Sequence, residues 1–534
     1  MSTAAVAASS DTGSPYTGVP ALLRLAVRRD RVRLSVWIAT LTLLMVYTPT
    51  AIKLAYPDEA DRLARVQLLK TPAGMILGGP MFGGNETDLG TMMANELMLT
   101  LIVAASILSI LTVVRHTRAD EESGAAELIL SSVVGRYART TAALVLVAGV
   151  NATLTVTMTV AMAASGFSVI DTAAMCLGVT AVAMLFGAVA AVSVQLWRQA
   201  RAATGTAMGT LAVAALVRGV GDVIDNSGSA LSWFSPIAWA QQMRSFVALR
   251  WWPLTMIVAA TVALIALAAV LERRRQYDSG TIPATGDRPG APPIRGVLGL
   301  HLTLQRGLTA GWGVGLFLAG LAFGSMTQSL HDAARTNELI ARLLQAQGPD
   351  GVYTTMSRFL AAACTAYVVA AVLRGYADEE AGRVEPVLAG AVSRWRWLLS
   401  GVAAALLGAV LLMAGAGLGN GLGAGLTLGE PATIARLTLA GLAYVPALAV
   451  LAGVAALAVA LRRPWLAWSA VAFVVVSLYL GALLRLPQWL LDISPVGRTA
   501  APSSYSVGAL AVMVVTASAL TLLAAWLYRR RDAA

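Results

Sequence analysis

The chain has 534 residues, of which 57% are hydrophobic and only 13% charged. A soluble domain carries about 25% charged residues, so half the charge that a water-facing surface needs is missing, which excludes a soluble enzyme, a disordered chain and a coiled coil. Lys and Arg number 39 against 28 Asp and Glu, a net charge of +11, and all the basic residues except Lys53 and Lys70 are arginine; in so apolar a chain this excess marks cytoplasmic flanking charge rather than nucleic-acid binding.

Residues 1–17 are rich in Ser, Ala and Thr and hold no Lys or Arg. A secretory signal opens with a basic region, whereas here the basic cluster (Arg24, Arg28, Arg29, Arg31, Arg33) comes later and precedes a full-length apolar run. The tail is expected to be disordered and the first span to be a retained anchor. Over 18–33, Leu22, Leu23, Leu25 and Val27 alternate with the arginines. That pattern suits a helix lying in the cytoplasmic interface, or plain flanking charge.

A bilayer core of about 30 Å takes about 20 apolar residues in a helix. Such runs lie near 34–53, 92–114, 141–165, 172–196, 204–222 and 252–271. A polar Pro/Gly stretch at 272–295 reads as a cytoplasmic linker. Runs then recur near 308–326, 353–373, 398–419, 436–460, 465–484 and 507–527. The expected fold is an all-α polytopic membrane protein of twelve transmembrane helices in two six-helix halves, 18–271 and 296–534. Cys176 and Cys364 sit in apolar runs and read as small buried hydrophobes. His116, His301 and His331 are too far apart in sequence for metal-ligand spacing.

The basic residues also set the orientation. With the N-terminus inside, the cytoplasmic segments collect the first basic cluster, Arg115, Arg118, Arg136, Arg139, Arg198, Arg201, Arg273, Arg274, Arg275, Arg288, Arg295, Arg306, Arg374, Arg383, Arg394, Arg396, Arg462, Arg463 and the terminal Arg529, Arg530 and Arg531. Both termini are then cytoplasmic, in a plasma-membrane protein.

The segment ADEESGAAELILSSVVGR after the second span aligns without a gap with ADEEAGRVEPVLAGAVSR after the eighth. Asp120, Glu121, Glu122, Gly124, Glu127 and Arg136 recur 258 positions on as Asp378, Glu379, Glu380, Gly382, Glu385 and Arg394. Ser235 and Pro236 recur as Ser494 and Pro495. Six spans per half, an even number, give both halves one orientation, as in parallel repeats. Asp120 reads as a helix N-cap, and Glu121 and Glu122 suit the positive end of a helix dipole. Gly124 interrupts, and Leu128, Ile129, Ser132 and Val133 line one face of a short helix over 125–134. Capping alone does not require the same spacing of acids, glycine and arginine twice. An acidic helix presented twice at one membrane surface suits docking of a two-fold symmetric cytoplasmic partner.

On these duplicated DEESG…E…GR and DEEAG…E…SR loops and the six-plus-six layout, the sequence resembles the membrane subunit of an ABC-2-type exporter, in particular the double-length actinobacterial permeases of the tetronasin-type (polyketide antibiotic) group. The resemblance implies that Asp120, Glu121, Glu122, Glu127 and Arg136, with Asp378, Glu379, Glu380, Glu385 and Arg394, belong to coupling helices. These would seat in clefts on two copies of a separate ATPase subunit. It also implies connecting helices at 18–33 and 296–306. The chain itself holds no P-loop, since Lys53 follows Ile52 and Lys70 follows Leu69, so ATP and magnesium are expected on the partner. The glycine-rich run 415–429 has no lysine and suits close helix packing. No enzyme active site is evident.

Ionisable groups inside spans are costly and often functional. Glu96, beside Asn95, lies one turn into the second span, and Arg358 lies in the eighth; across a pseudo-two-fold axis the two are expected to pair. Arg218 and Asp222 stand four apart in the fifth span, opposite uncharged Ser477 and Gly481 in the repeat. The bland alternative is that all four reach headgroups or loop water. With Tyr353, Tyr367, Phe473 and Tyr479 they are candidates for a pathway lining or an outer gate. The function expected is extrusion of hydrophobic or amphipathic small molecules through the bilayer, as in antibiotic or multidrug efflux. The alternatives are a 12-span ion-coupled transporter, which lacks a midplane acid, and an ABC-2 exporter of a lipid or envelope component.

Overall fold

The computed structural model describes residues 14–70, 74–75, 78–83, 86–124, 134–225, 228–275, 280–281, 296–328, 351–390, 392–479, 487–499 and 506–530. Every regular element among the described residues is helical. The chain divides into two compact units, Met1–Pro289 and Gly290–Ala534.

Unit 1 contains α1 (Val19–Ala55), α2 (Glu59–Leu69), α3 (Leu89–Val114), α4 (Ala138–Ala164), α5 (Val169–Leu196), α6 (Ala200–Ile224), the short α7 (Pro236–Gln241) and α8 (Trp252–Arg274). Unit 2 contains α9 (Gly296–Ser325), α10 (Gly351–Glu380), α11 (Glu385–Leu388), α12 (Arg394–Leu428), α13 (Ala432–Leu442), α14 (Val445–Ala460), α15 (Trp465–Tyr479), α16 (Gln488–Leu491), α17 (Pro495–Arg498) and α18 (Val507–Arg529). Among the described residues, 11 helices are long and apolar enough to cross a bilayer, with α13 and α14 together making one. The expected twelfth, at 465–484, is α15, whose 15 residues reach only about 22 Å at 1.5 Å per residue; residues 480–486 lie outside the described ones.

The helices begin where the sequence supplies caps. Asp88 accepts from the Gly90 and Thr91 amides at 2.9 and 3.3 Å to start α3, and Ser168 accepts from the Asp171 amide at 3.3 Å to start α5. Within the spans, hydroxyls turn back onto their own helix: Ser109 donates to the Ala105 carbonyl at 2.9 Å, Thr112 to Leu108 at 2.7 Å and Thr261 to Ile257 at 2.7 Å. In the apolar interior where they are buried, the carbonyl one turn back is the acceptor at hand.

α1 runs unbroken from Val19 to Ala55, so the separate interfacial helix expected over 18–33 is instead its opening turns. No Gly or Pro separates the basic cluster from the apolar run, and Ala26, Asp30, Leu34, Leu41 and Met45 form one buried stripe across the junction. In unit 2 the stretch 296–306 is likewise the start of α9.

The two cores differ. That of unit 1 is rich in methionine: Met45, Met93, Met98, Met158, Met162 and Met175 are buried beside Ile102, Leu154 and Phe186. In unit 2, glycines bring backbones together. A Cβ on Gly320 or Gly324 of α9 would overlap the Ala416 or Asn420 carbonyl of α12, and one on Gly419 or Gly423 would overlap the Phe317 or Leu321 carbonyl of α9. On the other face of α12, Gly417 and Gly421 lie against Leu437 and Ile434 of α13. The glycine run therefore serves helix packing.

Candidate functional site

α3 continues past Val114 through a π-helical turn, Arg115–Ala119, into a last turn, Asp120–Glu122. The repeated acids thus sit at the C-terminal end of a long helix and do not cap the start of a new one. In unit 2, α10 carries Asp378, Glu379 and Glu380 as its own last residues. The repeated glycine explains this placement. Gly124 and Gly382 have φ of +75° and +68°, and around Gly382 the Arg383 amide reaches the Asp378 carbonyl at 3.0 Å and the Gly382 amide reaches Glu379 at 2.9 Å. Glycine at that left-handed position ends a helix.

Three acids at the negative end of a helix dipole need cations. Asp120 accepts from Arg29 of α1 at 2.7 Å. Glu121, its side chain only 3% exposed, accepts from Arg118 at 2.5 Å, from Arg139 of α4, and from Arg275 just beyond α8 at 2.6 Å. Arg118 and Arg275 also donate to the Val194 carbonyl in the last turn of α5, at 2.7 and 3.1 Å. Glu122 accepts from the Ala200 amide, the first residue of α6, at 3.1 Å. Arg136 caps α8, donating to the carbonyls of Glu272 and Arg273. Glu127 and the expected short helix over 125–134 lie outside the described residues, save for Val134.

In unit 2, Asp378 pairs with exposed Arg383 at 2.7 Å. Glu379 accepts from Tyr528 of α18 at 2.7 Å, and Glu380 from Tyr376 at 2.7 Å. Glu380 and Glu385, the latter opening the short α11, are exposed. Arg394 is the first residue of α12.

A second basic-side cluster was not legible in the sequence. Asp30 is buried in α1, hydrogen-bonds Arg33 at 3.4 Å and His116 at 3.0 Å, and lies 3.1 Å from the Arg115 guanidinium as an ion pair. The one available signal was a lone acid among five arginines.

At the other end of the spans, Glu96 and Arg358, expected from the sequence to pair with each other, each have partners inside their own unit. Glu96 receives both Nε and Nη2 of Arg65 in α2, at 3.0 and 3.2 Å. Arg358 donates to the Gly497 and Thr499 carbonyls at 2.9 and 3.4 Å. Each therefore has hydrogen bonds within its own unit. Burial opposes the Arg65 charge, but the Glu96 carboxylate outweighs it and holds the guanidinium above the usual arginine range. Because the bidentate pair is partly exposed, a double-mutant cycle of Arg65→Gln and Glu96→Gln on thermal stability is expected to give a coupling of about 1 kcal/mol. Additive single mutants would show that the contact adds nothing.

Arg218 and Asp222 of α6 do pair, at 3.3 Å, and the side chains are 1% and 0% exposed, so neither reaches headgroups or loop water. Ser232 donates to Asp222 at 2.7 Å. Arg218 contacts Gln241 of α7 at 3.5 Å, and the Gln241 amide donates to the Gly78 carbonyl at 3.0 Å. Asn95 is buried beside this region. Tyr367 is fully buried, its hydroxyl 2.9 Å from that of Thr309. Tyr353 is buried under the Arg436 guanidinium, 5.2 Å from its ring centroid. Phe473 is half-buried in α15, and Tyr479 is the last residue of that helix.

Long apolar helices with hydroxyls bonded inward and buried ion pairs at their ends define a multi-pass membrane protein. Residues 294–529 match the family model described as the C-terminal domain of the multidrug efflux system permease Rv1217c. The whole chain is similar to the multidrug efflux system permease protein Rv1217c of Mycobacterium tuberculosis (strain ATCC 25618 / H37Rv), at 35% identity over 542 residues that cover 97% of this chain and 96% of that protein. The chain belongs to this permease family.

Proposed function

We propose that the chain is the membrane-spanning permease of a multidrug efflux system, a double-length ABC-2-type subunit of the tetronasin-type group that moves hydrophobic or amphipathic compounds outward. The end-to-end similarity to a multidrug efflux permease carries this reading. The duplicated acid-and-glycine helix ends support it, because each is followed in sequence by the repeated arginine, Arg136 or Arg394. In this reading both termini and these helix ends face the cytoplasm, and two copies of an ATPase dock there. Exposed Glu380 and Glu385, together with Glu127, offer carboxylates to them. ATP and magnesium reside on the ATPase, and the permease catalyses no reaction of its own.

The test is hydrolysis and dye efflux by the purified chain in vesicles, alone and co-expressed with the ATPase. The chain alone is expected to hydrolyse no ATP, because it lacks a phosphate loop, and the complex to hydrolyse ATP and expel the dye. Robust hydrolysis by the isolated chain, or efflux driven by an ion gradient without ATP, overturns the proposal.

A further inference from the structure

We propose that Glu121 is a positioning residue that spreads a displacement entering at the end of α3 to α4, α5 and α8 of unit 1, while its neighbours Asp120 and Glu122 hold α1 and α6, and that it acts inside the permease and not as a contact to the ATPase. The proposal rests on the reading of the chain as an ATP-driven permease.

The geometry comes from one helical turn. Asp120 holds α1 through Arg29, Glu121 holds α4 and the end of α8 through Arg139 and Arg275, and Glu122 holds the first amide of α6. Arg118, bound to Glu121, and Arg275 share the Val194 carbonyl of α5. Consecutive residues of α3 thus reach every other span of the unit. Glu121 is the centre, since its carboxylate takes three guanidinium groups and a carboxylate has room for about four donors. With its side chain 3% exposed, a docking protein cannot reach it.

The π-helical turn Arg115–Ala119 lies directly before this hub. Such a turn holds an extra residue per turn and recurs at functional positions. It separates the spanning part of α3 from the hub, so the end of the helix can shift without dragging the whole span. In unit 2 the design differs. The positions matching Arg118 and Arg139 are Tyr376 and Trp397, and α10 runs as uninterrupted α-helix to Glu380. Two of the three cations are thus replaced by aromatic residues, and transmission through Glu379 is correspondingly weaker.

The experiment uses the full chain with its ATPase in nanodiscs, with ethidium as the transported probe, and compares Glu121→Gln, Arg275→Gln and Glu379→Gln. E121Q is expected to retain the ATPase on co-purification while dye expelled per ATP hydrolysed falls about tenfold or more, as befits loss of a buried, multiply bonded charge; E379Q is expected to lose less than about threefold. A purely structural role would lower efflux and hydrolysis together and leave their ratio unchanged. If E121Q fails to fold, R275Q carries the test, since it leaves Glu121 with Arg118 and Arg139 and should give an intermediate ratio. Hydrogen exchange on the chain alone separates this inference from the efflux reading. E121Q must speed exchange at the first turn of α4 and the last turns of α5 and α8, whether or not an ATPase is present. Release of the ATPase by E121Q, an unchanged ratio, equal losses in E121Q and E379Q, or exchange altered only in α3 overturns the proposal.

Discussion

Asp222→Ala is expected to destabilise unit 1 by about 3–5 kcal/mol, the cost of removing one partner from a buried ion pair. The Arg218 and Asp222 side chains are 1% and 0% exposed, so water cannot replace the lost carboxylate. The effect should extend beyond α6. Asp222 also receives the Ser232 hydroxyl, and Arg218 stands beside Gln241, whose amide holds the Gly78 carbonyl. Gly79 has φ of +120°, and any side chain there would overlap the Gln241 amide. Thermal unfolding in detergent and dye efflux should both fall sharply in D222A. The double variant R218M/D222L should recover most of the stability, because apolar replacement of both partners of a buried pair is often neutral. If efflux stays low in that double variant while stability returns, the pair serves transport as well as the fold. A D222A protein as stable as wild type would show that the pair is not what holds this end of the unit together.

Gly324→Val is expected to open the seam between α9 and α12 and to cost about 3 kcal/mol or more, the upper range for overpacking. The atoms in the way are the Asn420 carbonyl and its neighbours in the backbone, and a helix backbone cannot turn aside as a side chain can. Gly311→Ala on the same helix is the matched control. Nothing lies within 4 Å of its Cβ position, and Gly-to-Ala in a helix interior gains up to about 1 kcal/mol in water-soluble hosts. Yield of monodisperse protein and the unfolding midpoint should therefore move in opposite directions for the two variants. Equal midpoints would remove the glycine seam from the account of unit 2.

The long spans were legible because apolar runs of this length have no other stable state. The repeat was legible too, but its meaning was inverted. Three acids followed by an apolar stretch resemble the start of a helix, whereas Gly124 and Gly382 make them the end of one. The glycine was the signal to weigh, since a glycine just past a helix is as strong a mark as an acid before it. The partners could not be read. Glu121 meets residues 18 and 154 positions away, and a single sequence carries no trace of which distant arginine folds against which acid. The same limit hid Arg65, 31 positions from Glu96. The continuity of α1 turned on something absent, a breaker after Arg33, which a reading by hydropathy windows passes over.

The contrast between the two cores also has a chemical side. Methionine fills space through three soft torsions and a polarisable sulfur, so unit 1 can repack around a moving helix without leaving voids. Backbone pressed on backbone, as at Gly320 and Gly324 of unit 2, permits no such adjustment. The adaptable half is therefore also the vulnerable one. An oxidant that reaches Met45, Met93 or Met175 when the helices part converts a thioether into a polar sulfoxide that the closed core cannot accommodate. Unit 2 buries fewer such thioethers, among them Met356, Met413 and Met513, so the larger share of this oxidative liability falls on the methionine-packed unit.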